Sequence, residues 1–367
     1  KFFTWGLGRG GKRWMDFLSE DGRGDYIEIQ GGVTPTQLQT RPLAAGTSLE
    51  WTECISPFAM DAAAAHDPDY AAACRAAEAV VQRRVPAAEL QAMDAFLIGQ
   101  AAAAPREILH RGSGWGMLYE RRAARRISPG LAFETRLVED ERPWGELLSA
   151  GTFSSESLQE PVRSFSISPG WTAVLQKSAK AHGETWLHRL HLGVADLEAG
   201  RFADARVHFV ASRALKRNAL ACRNLALLAE RDGDLEAANT AYSDAWSLEP
   251  KDQNLAIEYS DFLLRHKQAD RFTAFVESLP AALRSHERIA LLEAQLAIER
   301  GATADARRLL GREFSTIREG ELSLSELWFA SYAKDVERRL GRPLTRAEQE
   351  RIKERYPPPR ELDFRMR

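Results

Sequence analysis

The strongest constraint on this chain is a pattern that recurs every 33 or 34 residues between about Trp186 and Thr316. Successive units begin at Trp186, Ala219, Gln253 and Glu287. A period of this length is typical of helical hairpins that stack side by side, because one hairpin alone cannot bury its apolar face. The pattern therefore predicts four antiparallel helix pairs.

Small and large residues recur at fixed places in each unit, and each has a predicted mechanical role. An alanine lets the two helices of a pair approach closely, and a large residue four positions later fills the space between pairs. A glycine before them is predicted to end the first helix in a left-handed conformation. The third unit departs from this pattern, with Lys267 at the glycine position and Phe272 at the alanine position. The three regular sets are Gly200/Ala205/Phe209, Gly233/Ala238/Tyr242 and Gly301/Ala306/Leu310.

The spacing and these residues resemble the tetratricopeptide repeat, a helical-hairpin motif. We therefore predict a mainly α chain in which residues 181–316 form a tetratricopeptide-type solenoid, preceded by a short β segment. Residues 317–367 are predicted to add capping helices and a proline-rich tail. An amphipathic helix is expected over Leu324–Leu340, and Thr345 with Glu348 has the spacing of a capping box that opens another helix.

Composition and charge argue against several classes of function. The 50 basic and 52 acidic residues give a formal net charge of −2, which provides no general attraction to nucleic acid or anionic lipid. The sequence contains no run of about 18 apolar residues, so no membrane span is predicted. Cys54, Cys74 and Cys222 are far apart and odd in number, which favours free thiols in a reducing compartment. We therefore expect a cytoplasmic protein with no cofactor, no metal, no nucleic-acid partner and no membrane association.

The first 180 residues divide into two regions. In residues 1–58, the alternation in Tyr26–Gln30 predicts one strand, and a second is predicted over Leu49–Ile55. Because two or three strands alone bury too little to be stable, we expect the helical region to hold this segment. Residues 59–180 are predicted to be a helical and irregular connecting region. The helices expected there span Pro68–Arg84, begin at Pro86 and follow Gly116.

Several segments outside the repeats carry a wider resemblance, which covers essentially the whole chain. They are KFFTWGLGRGG at the start, GDYIEIQGG, GSGWG at 112–116 and PPPRELDFRMR at the end. Together with the repeats they resemble a bacterial family of unknown function that joins a galactose-mutarotase-like β-sandwich to a tetratricopeptide array. The resemblance implies that residues 1–58 are the last strands of such a sandwich, whose remainder would precede Lys1.

A narrower resemblance points to a sugar site. The stretch YIEIQGGVTPTQLQTRPLAAGTSLEW is similar to the last strands of galactose mutarotases, which implies that Glu28 is the general base acting on the anomeric hydroxyl of a sugar. Trp51 with Glu53 could provide a stacking platform and a hydrogen-bond acceptor for a pyranose, but packing of Trp51 in a core is the favoured interpretation. Glu28 as a structural carboxylate paired with an arginine, or on the solvent face of an edge strand, is the alternative. The predicted sugar-binding residues are Gln30, Tyr26, Trp51, Glu53 and Trp115.

Three further motifs favour structural interpretations. Residues 6–12 nearly spell a phosphate-binding loop, but Arg13 stands where a magnesium-binding hydroxyl is needed, so a glycine-rich loop between strands is favoured. His182, His188 and His191 favour helix packing over metal binding. Residues 112–116 predict a tight turn that exposes Trp115.

Two functions from different classes follow. The first is a carbohydrate-processing or carbohydrate-binding protein, an epimerase, mutarotase-like or glycoside-processing enzyme if it is catalytic. Its repeats would bind a protein or peptide partner or form a homodimer. The alternative is a non-enzymatic protein-interaction scaffold that holds a peptide in the repeat groove. Fold alone cannot choose between them. The observation that discriminates is whether Glu28 faces a pocket or packs against an arginine.

Overall fold

The computed structural model describes residues 2–19, 27–101, 103–318 and 321–365. The chain is mainly α-helical, as predicted, and a sheet found within these ranges pairs two short strands, β1 (Phe2–Phe3) and β2 (Glu28–Ile29). The earlier helices are α1 (Arg9–Leu18), α2 (Ala62–Ala65), α3 (Tyr70–Arg84), α4 (Ala87–Ala101), α5 (Gly114–Ala123), α6 (Arg142–Ser149) and α7 (Pro169–His182). The repeat helices are α8 (Trp186–Glu198), α9 (Phe202–Leu215), α10 (Ala219–Arg231), α11 (Leu235–Leu248), α12 (Gln253–Arg265), α13 (Ala269–Ser278), α14 (Ala281–Arg284), α15 (Glu287–Glu299) and α16 (Thr303–Leu310). The last elements are α17 (Ser323–Leu340), α18 (Arg346–Arg355) and a 3₁₀ turn at Arg360–Leu362.

The chain divides into two compact units. The first comprises Ile29–Ser157 and Pro161–Ser164, and the second comprises Phe2–Glu28, Leu158–Glu160 and Phe165–Arg367. Across the described ranges, no helix combines the length and the apolar character that crossing a bilayer requires.

The first unit contains α2 to α6, and the helices predicted over Pro68–Arg84 and from Pro86 are confirmed as α3 and α4. The Asp69 carboxylate caps α3 by accepting the Ala71 N–H at 2.9 Å. None of the residues of α2, α3 and α4 is buried. The core of this unit lies instead around Leu118 and Trp144, which are completely buried.

Residues 114–116 of the glycine-rich segment 112–116 form the start of α5 rather than the predicted exposed turn. Glu141 is buried, and its carboxylate accepts the Trp115 N–H at 3.2 Å. This places a negative charge at the N-terminal end of α5, where free N–H groups and the helix dipole favour it. Gly116 lies against the Phe133 ring, and a Cβ atom there would approach the ring to 2.1 Å. The glycines are therefore explained by close packing.

The four predicted helix pairs are present in the second unit, and their first helices begin at the four predicted residues. The pairs are α8/α9, α10/α11, α12/α13 and α15/α16. The alanines and large residues of the three regular units are all completely buried, as their proposed roles require. In the first pair, a Cβ atom on Gly193 would lie 2.6 Å from the Phe209 ring, so this glycine allows α8 and α9 to approach.

The turns inside the pairs confirm the predicted left-handed caps. Gly200, Gly233 and Gly301 have φ angles of 72°, 80° and 79°. Lys267 takes the same place in the third pair with φ of 56°. A residue with a Cβ atom is strained in this region by roughly 1–2 kcal/mol, whereas glycine is not.

Lys267→Gly should therefore stabilise the chain, by about 0.5–1 kcal/mol after the greater freedom of glycine in the unfolded state is subtracted. Denaturant unfolding followed by circular dichroism measures the change. Gly233→Ala is the matched control at the equivalent turn and should destabilise by about 1 kcal/mol or more, because it introduces the strain. A loss of stability in Lys267→Gly would contradict this account.

The end of the repeat region also follows the prediction. Helix α17 matches the helix expected over Leu324–Leu340, and Gly341 ends it with φ of 65°. The capping box at the start of α18 is formed, since Thr345 Oγ1 accepts the Glu348 N–H while the Glu348 carboxylate accepts the Thr345 N–H at 2.8 Å.

The start of the chain differs from the prediction. Residues 6–12 were expected to form a loop between strands, but residues 9–12 belong to α1. Trp14 of this helix is completely buried in a core that also includes Leu310, Leu324 and Phe364. A Cβ atom on Gly10 would lie 1.6 Å from the Arg365 carbonyl oxygen, so this glycine permits the close approach of α1 to the tail. The expectation that helices hold the first residues is confirmed for α1.

The predicted second strand is wrong. Residues 49–55 lie outside regular secondary structure, and Ile55 is 74% exposed. Ile27 and Ile29, which the alternation places on one face of the first predicted strand, are 55% and 66% exposed. A strand is stabilised by its cross-strand neighbours, and an alternating sequence does not by itself supply a partner. Within the described residues, the strands are two residues long and form no sandwich.

Candidate functional site

The structure locates five of the six predicted sugar-site residues, and Tyr26 lies outside the described residues. Glu28 on β2 and Gln30 just after it are half-buried. Trp51 is 57% exposed, so the favoured interpretation of this residue as part of a core is wrong. Glu53 is exposed, and its carboxylate lies against Gly31, where an added Cβ atom would meet Oε2 at 2.2 Å.

Trp115, the remaining predicted residue, lies with helices α5 and α6. It is half-buried, and its ring centroid is 6.2 Å from that of Trp144. None of the five located residues lines the groove beside α12, α15 and α17 or the groove between α17 and α18. The assignment of Glu28 and its neighbours to a sugar site therefore stays a prediction.

Of the three clustered histidines, His188 and His191 are buried packing residues, as favoured, whereas His182 is exposed. His188 is completely buried, with Nε2 2.8 Å from Ser178 Oγ and Nδ1 2.8 Å from Thr185 Oγ1. Burial lowers the pKa of His188 to about 4 and that of His191 to about 3. Within the described ranges, no three His, Cys, Asp or Glu side chains are grouped so that they would hold a metal ion.

The candidate functional site is a groove of about 650 Å³ beside the first helices of the last repeats. We call it the repeat groove. Three elements supply most of its wall: α12, α15 and α17. Its lining comprises Gln253, Asn254, Ile257, Glu258, Asp261, His286, Arg288, Leu291, Leu292, Gln295, Thr316, Arg318, Glu321, Ser323 and Leu327.

The carboxylates of the groove are held by neighbouring groups. Arg223 Nε donates to both oxygens of Glu258 at 2.9 and 3.0 Å, and the Tyr242 hydroxyl donates to Oε1 at 2.9 Å. Burial and the charge of Glu258 raise the pKa of Tyr242 far above its usual range, so this phenol remains a donor. Asp261 accepts from Arg265 at 2.7 Å.

One end of the groove is built from the connection between α16 and α17. Arg288 Nη1 donates to the Glu321 carboxylate at 2.7 and 2.8 Å. Burial acts to raise the pKa of Glu321, but hydrogen bonds from Ser323 and Arg288 outweigh it and hold the pKa below its usual value. Glu287 accepts from Ser315 Oγ at 2.7 Å and from the Thr316 N–H at 3.1 Å, which ties the connection to α15.

The remaining lining combines carboxamides with aliphatic side chains. Asn254 is exposed and Gln295 half-buried, and each amide can donate to a carbonyl and accept from an N–H. Ile257, Leu292 and Leu327 are half-buried and provide apolar contact area. The arrangement suits binding rather than acid–base chemistry.

The groove residues were not predicted, although they recur at fixed positions of the repeat. Counted from the first residue of its helix, the fifth position is Ile257 in α12, Leu291 in α15 and Leu327 in α17, and all three line the groove. The ninth position supplies Asp261 and Gln295. Equivalent positions of stacked hairpins face the same side, so the spacing alone would have predicted this surface.

These stacked helix pairs define the second unit as a tetratricopeptide-type helical solenoid. The family model described as tetratricopeptide repeat matches residues 229–296, from the end of α10 into α15. Among solved structures, a tetratricopeptide repeat protein from Parabacteroides merdae ATCC 43184 is 14% identical, with a TM-score of 0.40 over 59% of this chain and 85% of that chain. No curated protein matches this chain significantly.

Proposed function

We propose that the protein is an interaction scaffold that binds a peptide segment of a partner protein in the repeat groove. The observation that carries this proposal is the groove itself, in which three successive first helices present carboxamide and aliphatic side chains to one volume of about 650 Å³. That volume lies within the range of binding sites that bury most of a ligand. The tetratricopeptide match at residues 229–296 overlaps α12 and part of α15, which supply much of the wall.

The lining indicates how a peptide would be held. Asn254 and Gln295 lie on adjacent first helices, so their amides can pair with N–H and C=O groups of an extended backbone. Ile257, Leu292 and Leu327 would receive apolar side chains of the peptide. Binding then combines hydrogen bonds that orient the backbone with apolar burial, which supplies most of the affinity.

The charges of the groove favour an uncharged central segment. Glu258, Asp261 and Glu321 are each engaged by an arginine of this chain, namely Arg223, Arg265 and Arg288. A charged peptide side chain placed among these three carboxylates would lose water and gain little, because each carboxylate already has an arginine partner. We therefore expect a peptide with aliphatic or aromatic side chains at its centre.

Leu292→Glu should reduce the affinity for such a peptide at least about tenfold, because it removes an apolar contact and introduces an unpaired carboxylate into the groove. The peptide is obtained by selection of a displayed random library against the full chain. Its dissociation constant is then measured by isothermal titration calorimetry with wild type and variant. Asn254→Ala should weaken binding by about 0.5–1.5 kcal/mol through the loss of a backbone hydrogen bond.

The matched control is Val210→Glu, which places the same charge at an exposed apolar position on the second helix α9. It should leave affinity unchanged, and circular dichroism melts should show both variants folded. Selected peptides that bind Leu292→Glu and wild type equally would exclude the repeat groove as the binding site.

A further inference from the structure

A second groove, of about 690 Å³, lies between the last two helices of the chain. We call it the terminal groove. It is formed by the C-terminal part of α17, by α18 and by the loop that joins them, and it shares no lining residue with the repeat groove. Its lining comprises Val336, Arg339, Leu340, Leu344, Glu348, Arg351, Ile352, Glu354, Arg355 and Tyr356.

The floor of the terminal groove is apolar. Leu344 and Ile352 are buried at 8% and 7% exposure in a cluster that Val336 and Tyr356 join. Tyr356 is stacked on Tyr332 with ring centroids 4.2 Å apart, and this contact packs the floor against α17. Leu340, at the rim, is 48% exposed and offers an apolar contact to a partner.

The rim carries an excess of positive charge. Arg339, Arg351 and Arg355 are exposed lining residues. Of the two acidic lining residues, Glu348 is already held by Arg342, whose two terminal nitrogens donate to its two oxygens at 2.9 Å each. That pair and the Thr345 cap hold the pKa of Glu348 far below its usual value, so it adds no unneutralised charge. Among the lining residues, three arginines therefore outnumber the one remaining carboxylate, Glu354.

The position of the groove in the solenoid indicates the shape of its occupant. Helix α17 contacts α15 and α16, where Leu324 enters their core, and α18 packs on α17. The two helices thus continue the stacking pattern, and the groove between them is the kind of surface on which a solenoid receives its next helix. Helix α18 has 10 residues, a length of about 15 Å, so the groove accommodates about three turns of helix.

We propose that the terminal groove docks an amphipathic helix of a partner protein, with its apolar face on Leu340, Leu344 and Ile352 and acidic side chains toward Arg339, Arg351 and Arg355. The apolar floor provides the contact area, and the arginine rim selects the charge of the flanks. The proposal does not depend on the repeat groove, because the two grooves share no residue.

Two designed peptides of about 18 residues test it, a length that supports helix formation. Both carry leucines at helical spacing on one face, and the other face carries glutamates in one peptide and lysines in the other. Fluorescence anisotropy with the full chain should show the glutamate peptide binding at least about tenfold tighter than the lysine peptide. The double variant Arg351→Glu/Arg355→Glu should invert this preference, and Leu340→Asp should weaken the glutamate peptide at least about tenfold.

Arg346→Glu is the matched control, since it reverses an exposed charge on α18 outside the groove and should leave the preference unchanged. Far-UV circular dichroism confirms that each variant folds. Equal binding of the two peptides, an uninverted preference or an absence of binding would overturn the proposal. A different result would also overturn it. If neither peptide binds, and analytical ultracentrifugation shows a dimer of the chain that Leu340→Asp dissociates, the occupant of the groove is a second copy of the chain.

Discussion

Ala238→Arg should destabilise the repeats by more than about 3 kcal/mol, because it combines overpacking with burial of a charge. Ala238 is completely buried on α11, and Tyr242 one turn later is completely buried as well. Overpacking alone costs about 1–3 kcal/mol, and an unpaired guanidinium in this core adds to that loss. Denaturant unfolding monitored by far-UV circular dichroism should show an earlier transition and reduced helicity.

The control lies one residue away on the same helix. Ala237 is exposed, so Ala237→Arg adds the same side chain with the same charge where it remains in water. Its effect should stay within about 0.5 kcal/mol, the usual range for surface substitutions. Melting curves of both variants that match wild type would contradict the burial of Ala238 and the repeat register that predicts it.

Trp14→Ala should destabilise the second unit by about 3–5 kcal/mol, the loss typical of removing a large buried aromatic side chain. Trp14 is stacked on Trp5 with ring centroids 4.9 Å apart and meets the edge of Phe364 at 4.7 Å. Its Nε1–H donates to the Phe364 carbonyl oxygen at 2.7 Å. The variant should therefore also loosen residues 2–19 and 358–365, which limited proteolysis followed by mass spectrometry detects as new cleavage in both segments.

Two further variants separate the contributions at this site. Trp14→Phe keeps an aromatic ring but leaves the buried Phe364 carbonyl without its donor, so it should lose about 1–3 kcal/mol. Leu7→Ala removes a side chain that is 81% exposed and should be nearly neutral. Unchanged stability and unchanged cleavage in Trp14→Ala would mean that these contacts do not hold the two segments.

Prediction from the sequence succeeded where one helical turn or one hairpin decides the structure. The starts of α8, α10, α12 and α15, the left-handed turns at Gly200, Gly233 and Gly301 and the capping box of Thr345 all depend on residues close in sequence. The groove positions are equally readable from the repeat, because position five of each first helix recurs at Ile257, Leu291 and Leu327.

Prediction failed where the outcome depends on distant partners. Residues 49–55 alternate as a strand does, but they form no strand in the structure. Gly10 and Gly11 favour a loop by local propensity, yet both lie in α1, because the Arg365 backbone approaches one and the Trp5 backbone the other. The glycines at 112–116 accommodate Phe133 and Glu141 in the same way.

The sequence by itself determined the repeat, its register and its turns, because a hairpin that stacks on copies of itself repeats the same local requirement in every unit. Only the tertiary structure decided that Trp14 meets Phe364, which is 350 residues away in sequence. It also decided that Arg288 and Glu321 line one groove and that Leu340 and Arg351 line another. Contacts of this range depend on how whole helices pack, and no short window of sequence contains both partners.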